Sequence, residues 1–252
     1  MGTVYLVGAG PGAADLLTVR ATRLLAAAQI VFHDALVEQD VLDLAPAAIK
    51  IAVGKRCGAH STSQRFINKR LVDAAVRHAV VVRLKGGDPM LFGRAQEEID
   101  ALAAAGVDFE IVPGVTAALA AAADLKLSLT RRGVARSLTL VTPRVGEGES
   151  PHAWARAAVN ADTAVIYMGA GQADLIVASL VSHGLAPSTP VVLVENAGRR
   201  YESHCAGRLA ELPRLAEERG RGPAVIVVGE VARAAAAGAV TPADPTRIAL
   251  AG

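Results

Sequence analysis

The chain has 252 residues, 26 Lys+Arg against 24 Asp+Glu, and a formal net charge of +2. That length holds one large domain or two of about 100–130 residues, each able to bury its own core, which excludes a small stapled scaffold. Charges are dispersed rather than blocked, which argues against a nucleic-acid-binding arm. No apolar run approaches the roughly 18 residues of a spanning helix.

Met1 leads directly into the strand-like Thr3-Val4-Tyr5-Leu6-Val7 without a basic region or a cleavage site, so the chain reads as cytoplasmic. Strands are predicted over 3–8, 29–33, 48–53, 79–84 and 108–112, with helices over 15–28, 36–45, 63–77 and 93–105 between them. An alanine-rich helix over 115–123 follows. The second half predicts strands over 137–142, 162–168, 190–195, 201–206 and 223–229, and helices over 152–158, 171–183 and 208–219. Short β-branched apolar runs alternating with helical-period segments give an α/β class with largely parallel sheets. The junction falls within 114–133, around the basic Thr130-Arg131-Arg132-Gly133. The expected division is 1–118, 119–234 and an Ala/Pro-rich frayed tail over 235–252.

Cys57 and Cys205 lie far apart without a CxxC partner, against a disulfide framework or a structural zinc site, and no metal is expected. Only five of the basic residues are lysine; the arginine excess suits forked pairing with carboxylates or phosphates, although genomic base composition yields the same bias.

Three glycine-rich turns carry the functional signal. Gly8-Ala9-Gly10-Pro11-Gly12-Ala13 formally satisfies a dinucleotide fingerprint, with Asp34 about 20 residues on at a strand end. Pro11 weakens that reading, since proline offers no N–H to a pyrophosphate. Arg83-Leu84-Lys85-Gly86-Gly87-Asp88-Pro89 ends the fourth strand, where bare backbone lets a ligand approach. Asp88 there either accepts from a ligand hydroxyl or amine or caps a tight turn. Val112-Pro113-Gly114-Val115-Thr116-Ala117-Ala118 joins a strand end to a helix start crowded with small residues, which suits a flat ligand and equally suits close helix packing.

Together with Asp15 to Thr18, Val53-Gly54-Lys55-Arg56, Leu129-Thr130, Tyr167-Met168-Gly169, Val194-Glu195-Asn196-Ala197 and Gly222-Pro223-Ala224, these segments resemble the tetrapyrrole methylase family over roughly 3–232. The likeness is greatest to its uroporphyrinogen-III C-methylating members. The resemblance implies two α/β domains with a ligand cleft between them, a homodimer, S-adenosylmethionine as methyl donor and no nicotinamide. It places the donor against Pro11, Gly86, Gly87, Asp88, Leu91, Thr116, Ala117, Met168, Ala197 and Ala224. It makes Asp34 the proton acceptor and Lys55 the proton donor, sets Arg94 and Glu97 near the tetrapyrrole, and puts Arg94 and Arg132 on substrate carboxylates. Arg131 and Arg136 are further candidate anchors. The implied reaction delivers two methyl groups to uroporphyrinogen III, giving precorrin-2 by way of precorrin-1 for siroheme or cobalamin formation. Competing readings are methylation of a later precorrin, an NAD-dependent oxidoreductase and a non-catalytic tetrapyrrole binder. The chain departs from the family pattern at His33, Ala95-Gln96, Arg131 and Pro143-Arg144, none of which removes a proposed catalytic group. Of these, His33 is read as a packing residue with one satisfied hydrogen bond.

Overall fold

The computed structural model describes residues 1–54, 64–146 and 153–236. Contacts divide the chain into two compact units, the first Met1–Ala117 and the second beginning at Ala118.

The first unit is built from β1 (Thr3–Gly8), α1 (Val19–Ala27), β2 (Ile30–His33), α2 (Gln39–Asp43), β3 (Ile49–Ala52), α3 (Gln64–Arg77), β4 (Val80–Lys85), α4 (Ala95–Ala104) and β5 (Phe109–Val112). The strands stand in the order β3-β2-β4-β1-β5 and every pairing is parallel. Both faces are covered by helices, so β4 alternates between two cores rather than between core and water. Val82 and Leu84 pack with Val7, Val31 and Leu25 on one side, while Val81 packs with Leu6, Phe32, Leu71 and Leu102 on the other. Each such side chain, fully buried, contributes about 1.5–3 kcal/mol.

The helix expected over 15–28 is interrupted. A 3-10 turn covers Ala14–Leu16, Leu17 and Thr18 are extended, and the Thr18 hydroxyl accepts from Ala21 N at 3.1 Å, so α1 starts only at Val19. α5 (Ala117–Asp124) then opens next to the boundary between the units.

The second unit adds β6 (Leu138–Val141), α6 (Trp154–Val159), β7 (Thr163–Tyr167), α7 (Ala173–Ser182), β8 (Pro190–Glu195), β9 (Ser203–Arg208), α8 (Leu212–Glu218), β10 (Ala224–Gly229) and α9 (Arg233–Ala236). The α/β class holds, but the expected parallel pairing does not extend to this sheet. Its order is β6-β7-β10-β8-β9, and only β6 and β7 pair in parallel; β7–β10, β10–β8 and β8–β9 are antiparallel. A strand buried on both faces carries the same continuous apolar run whichever way its neighbours point, so the residues do not encode direction. Here β9 returns directly beside β8, and β10 inserts between β7 and β8.

Two boundaries also move. The strand expected over 201–206 begins at Ser203, because the chain after β8 turns through Asn196 and Arg199 and Asn196 Nδ2 donates to Tyr201 O at 3.2 Å. The tail expected from 235 is helical through Ala236, where α9 ends; the rest lies outside the described residues. No helix among the described residues is long and apolar enough to cross a membrane.

Candidate active site

Parallel strands all deliver their loops to one edge, and in the first unit that edge is made of glycine. Gly10 N donates to Gly87 O at 3.2 Å and Gly87 N donates to Gly10 O at 2.7 Å, while Ala9 N reaches Lys85 O at 2.7 Å. The N–H groups of Ala9 and Gly10, which a pyrophosphate would need, are therefore committed to the turn after β4. A Cβ on Gly8 would stand 2.6 Å from Gly114 Cα and 2.8 Å from Gly87 O, so the three backbones approach as only glycine allows. The Asp88 carboxylate completes this knot: Oδ1 accepts from Met90 N at 2.8 Å and Oδ2 from Gly114 N at 2.9 Å. Of the two sequence readings of Asp88, the turn-forming one is realised. Outward the backbone stays bare. A Cβ on Gly86 would meet only Leu36 Cβ at 3.7 Å, and one on Gly87 only Thr116 Cα at 3.9 Å. Such a cradle suits a ligand read through peptide groups. Pro11, Leu91, Thr116 and Ala117 lie in or next to the loops that rim this edge, after β1, β4 and β5.

Asp34 follows β2 at the same edge, its side chain 31% exposed, and its Oδ1 receives Arg83 Nη2 at 2.5 Å. Arg83 itself is 3% exposed. Its Nε donates to Glu98 Oε1 at 3.0 Å and its Nη1 to Leu84 O at 3.1 Å. Lys85, two residues on and hence on the same face of β4, donates from Nζ to Glu98 Oε2 at 3.0 Å. Glu98, at 0% exposure, also accepts from Gln64 Nε2 at 3.1 Å. Burial opposes the charge on Arg83, but Asp34 and Glu98 outweigh it and hold the guanidinium above its ordinary pKa. Burial, reinforced by Arg83, pushes the Lys85 ammonium below its ordinary value despite Glu98 and Asp34. The His33 ring Nδ1 donates to Asp34 O at 3.1 Å, the single local bond expected of it.

Arg94 and Glu97 stand together at the start of α4. Arg94 Nε and Nη2 reach Glu97 Oε1 and Oε2 at 2.6 and 2.8 Å, a forked and exposed pair. Arg94 and Phe92 both hold φ 54°, in the left-handed region that side chains rarely adopt and that recurs where backbone is held for a purpose. Lys55 lies outside the described residues.

In the second unit, Met168, Ala197 and Ala224 come to one edge of the mixed sheet. Met168 follows β7, Ala224 opens β10, and Ala197 follows β8, with Ala224 opposite Glu195 in register. Met168 and Asn196 are again left-handed, at φ 54° and 55°. Buried Glu195 accepts from Gly220 N at 2.9 Å and from Gly222 N, and Asn196 N donates to Pro223 O at 2.8 Å, which fixes the approach to Ala224. The Tyr167 hydroxyl accepts from Ala118 N at 2.9 Å, and Asp124 Oδ2 accepts from Gly198 N at 2.7 Å, so α5 is tied to the loops after β7 and β8. Burial raises the Asp124 carboxyl, with the Gly198 bond opposing. Arg132 lines an open bowl of about 440 Å³ with Thr130, Arg131, Ala135 and Arg136, a concentration of guanidinium groups suited to carboxylates.

The sequence reading gave no role to Arg83, Lys85 or Glu98. The available signal was two cations at alternate positions in an otherwise apolar central strand, which demands a buried counter-charge.

Comparison with known proteins gives a consistent result. The family model described as tetrapyrrole (corrin/porphyrin) methylases matches residues 3–213. The chain is 45% identical over 233 residues to a uroporphyrinogen-III C-methyltransferase of Pseudomonas aeruginosa, covering 92% of this chain and 95% of that protein. It is 44% identical to a siroheme synthase of Pseudomonas fluorescens, of whose length it spans 50%. Among solved structures it resembles a Thermus thermophilus uroporphyrin-III C-methyltransferase complexed with S-adenosylhomocysteine, with a TM-score of 0.81 and 41% identity over 92% of this chain and 99% of that one.

Proposed function

Because the chain belongs to the tetrapyrrole methylase family, we propose that it transfers two methyl groups from S-adenosylmethionine to uroporphyrinogen III. The product is precorrin-2, formed by way of precorrin-1, for siroheme or cobalamin formation. The observation that carries this reading is the 45% identity to a uroporphyrinogen-III C-methyltransferase along nearly the whole of that protein. The bare cradle at Gly86 and Gly87 supports it physically.

We assign the donor to Pro11, Gly86, Gly87, Asp88, Leu91, Thr116, Ala117, Met168, Ala197 and Ala224. When bound, the donor supplies a methyl already activated on a sulfonium. The chain's part is therefore to position and to manage protons. Gly86 and Gly87 leave a surface without side chains on which the donor can lie against the backbone, and Asp88 keeps their loop in place from behind. Asp34 is the proton acceptor: its carboxylate stabilises the positive charge the pyrrole ring acquires as a ring carbon takes the methyl, and then accepts a proton from another position of the macrocycle, since the methylated carbon already bears a side chain and has no hydrogen to lose. Lys55 is assigned as proton donor. Arg94 lies near the macrocycle, its charge partly answered by Glu97 until a substrate carboxylate competes for the fork. Arg132, flanked by Arg131 and Arg136, binds further carboxylates. A homodimer in the cytoplasm completes the reading.

Incubation of the purified protein with S-adenosylmethionine and uroporphyrinogen III tests it, by absorption and mass of the oxidised product. Addition of two methyl groups is expected, and Asp34→Asn should lower kcat on the order of 10²-fold. Absence of any methylated species overturns the assignment.

A further inference from the structure

We infer that Arg83 is a positioning residue for the Asp34 carboxylate, and that Glu98 of α4 sets Arg83 in turn. The inference rests on the reading of Asp34 as the reaction's base, and extends it to residues that touch no substrate.

An arginine sealed in the centre of a parallel sheet is hard to explain as a contribution to stability. Removing a guanidinium from water costs several kcal/mol before any pairing, and apolar residues of like volume often serve a core as well or better. What the arginine gives is geometry. Nη2 grips Asp34 Oδ1, Nε grips Glu98, and Nη1 reaches Leu84 O, so three edges of one rigid plane are fixed at once. The Asp34 side chain stands at the strand end with one oxygen clamped from below. Its orientation is then set by β4 and α4 rather than by the loop that carries it. Glu98 is held on its other oxygen by Lys85, so the clamp cannot swing toward a second partner. A lysine at position 83 would bring the charge but could reach only one of the two carboxylates at a time.

The charged and titratable groups facing Asp34 are Arg83 and Lys85 from β4, Glu98 from α4 and His33 from β2. Gly54, whose backbone packs on Asp34, precedes Lys55, outside the described residues. Misplacing the base removes an interaction made in the transition state, so kcat should fall while donor affinity holds, and Arg83→Lys should restore part of the loss. A merely structural role would lower both together.

The test is a double-mutant cycle with Arg83→Met and Arg83→Lys, each alone and in an Asp34→Asn background. It measures kcat and KM for methyl transfer and S-adenosylhomocysteine binding of the intact protein. A wild type that makes no methylated product refutes the functional reading before the cycle begins. With an active wild type, the expected result is a fall in kcat on the order of 10²-fold for Arg83→Met and less for Arg83→Lys. S-adenosylhomocysteine affinity should stay within about twofold, and little further loss should follow in the Asp34→Asn background. Equal losses in both backgrounds, wild-type rates in Arg83→Met, or full activity in Asp34→Asn would overturn the inference. Where Arg83→Met does not fold, Arg83→Lys carries the same cycle, since it keeps the buried charge and removes only the fork. Where the Asp34→Asn background is too slow to measure, the split between kcat and donor affinity decides: a loss confined to kcat and partly restored by Arg83→Lys supports the role, and a parallel loss of S-adenosylhomocysteine affinity rejects it.

Discussion

The two sheets secure their loop-bearing edges by opposite means. In the first unit backbone meets backbone through Gly8, Gly10, Gly87 and Gly114, and the charges lie beneath as counter-ions to one another, Arg83 and Lys85 around Glu98. In the second, side chains capture peptide N–H groups: Tyr167 that of Ala118, Asp124 that of Gly198, and Glu195 those of Gly220 and Gly222. Glu195 is 4% exposed, yet its charge is met chiefly by backbone, with Arg219 Nη1 farther off at 3.6 Å. The glycine edge leaves backbone bare toward a ligand but tolerates no added atom where Gly8 and Gly114 meet, whereas an edge tied by side chains can lose one tie and keep the rest.

The largest expected effect contrasts the two buried carboxylates. Glu98→Ala abandons two buried cations and should lower the free energy of unfolding by about 3–5 kcal/mol. Glu195→Ala frees N–H groups in a partly exposed loop and should cost about 1–3 kcal/mol. Denaturant melts of both variants check the order, and a reversal would show that the counter-ion cluster is not the more demanding of the two. Next comes the glycine knot. Gly114→Ala drives a methyl into Gly87 O and Gly8 Cα and should destabilise by about 1–3 kcal/mol while weakening S-adenosylhomocysteine binding at least tenfold. Gly171→Ala in the second unit, where an added Cβ meets nothing within 4 Å, should stay within about 0.5 kcal/mol of wild type.

The smallest effect lies at the opposite ends of the strands. Gln29 Oε1 accepts from Ala79 N and Val80 N before β4, and Asp162 Oδ2 does the same for Arg136 N and Ser137 N before β6. One device is neutral and the other charged. The Arg136 N–H foremost, then the Ser137 hydroxyl and N–H, hold the Asp162 carboxyl below its ordinary 3.8. A depressed folded-state pKa means that its stabilisation is present above 3.8 and disappears as pH falls through the lowered value. The melting-temperature gap between wild type and Asp162→Asn should therefore be level near neutrality and close in acid. The gap for Gln29→Ala should not follow pH in this way.

The strands were legible because β-branched runs such as Val80 to Val82 and Val191 to Val194 need a sheet on either reading of their neighbours. Their direction was not, and so the antiparallel half of the molecule escaped a rule that served the first half. Thr18 shows a second limit: a hydroxyl capturing one N–H ended a continuous helical pattern that hydrophobic period alone could not divide. At the site, the glycine and proline turns after β1, β4 and β5 were readable in the sequence, whereas Arg83, Lys85 and Glu98 were not. Their meaning lies in a pairing across 13 and 15 positions of sequence that appears only when α4 lies over β4.

The buried ions also constrain how such a sequence can drift. Arg83, Lys85, Glu98 and Asp34 sum to zero charge, so a neutral replacement at Glu98 leaves Lys85 without its buried partner and Arg83 with Asp34 alone. Divergent lineages must then exchange a cation and an anion together, or pass through a poorly folded ancestor. Arg83, Lys85 and Glu98 should accordingly change together, while Asp34 is held by its chemistry.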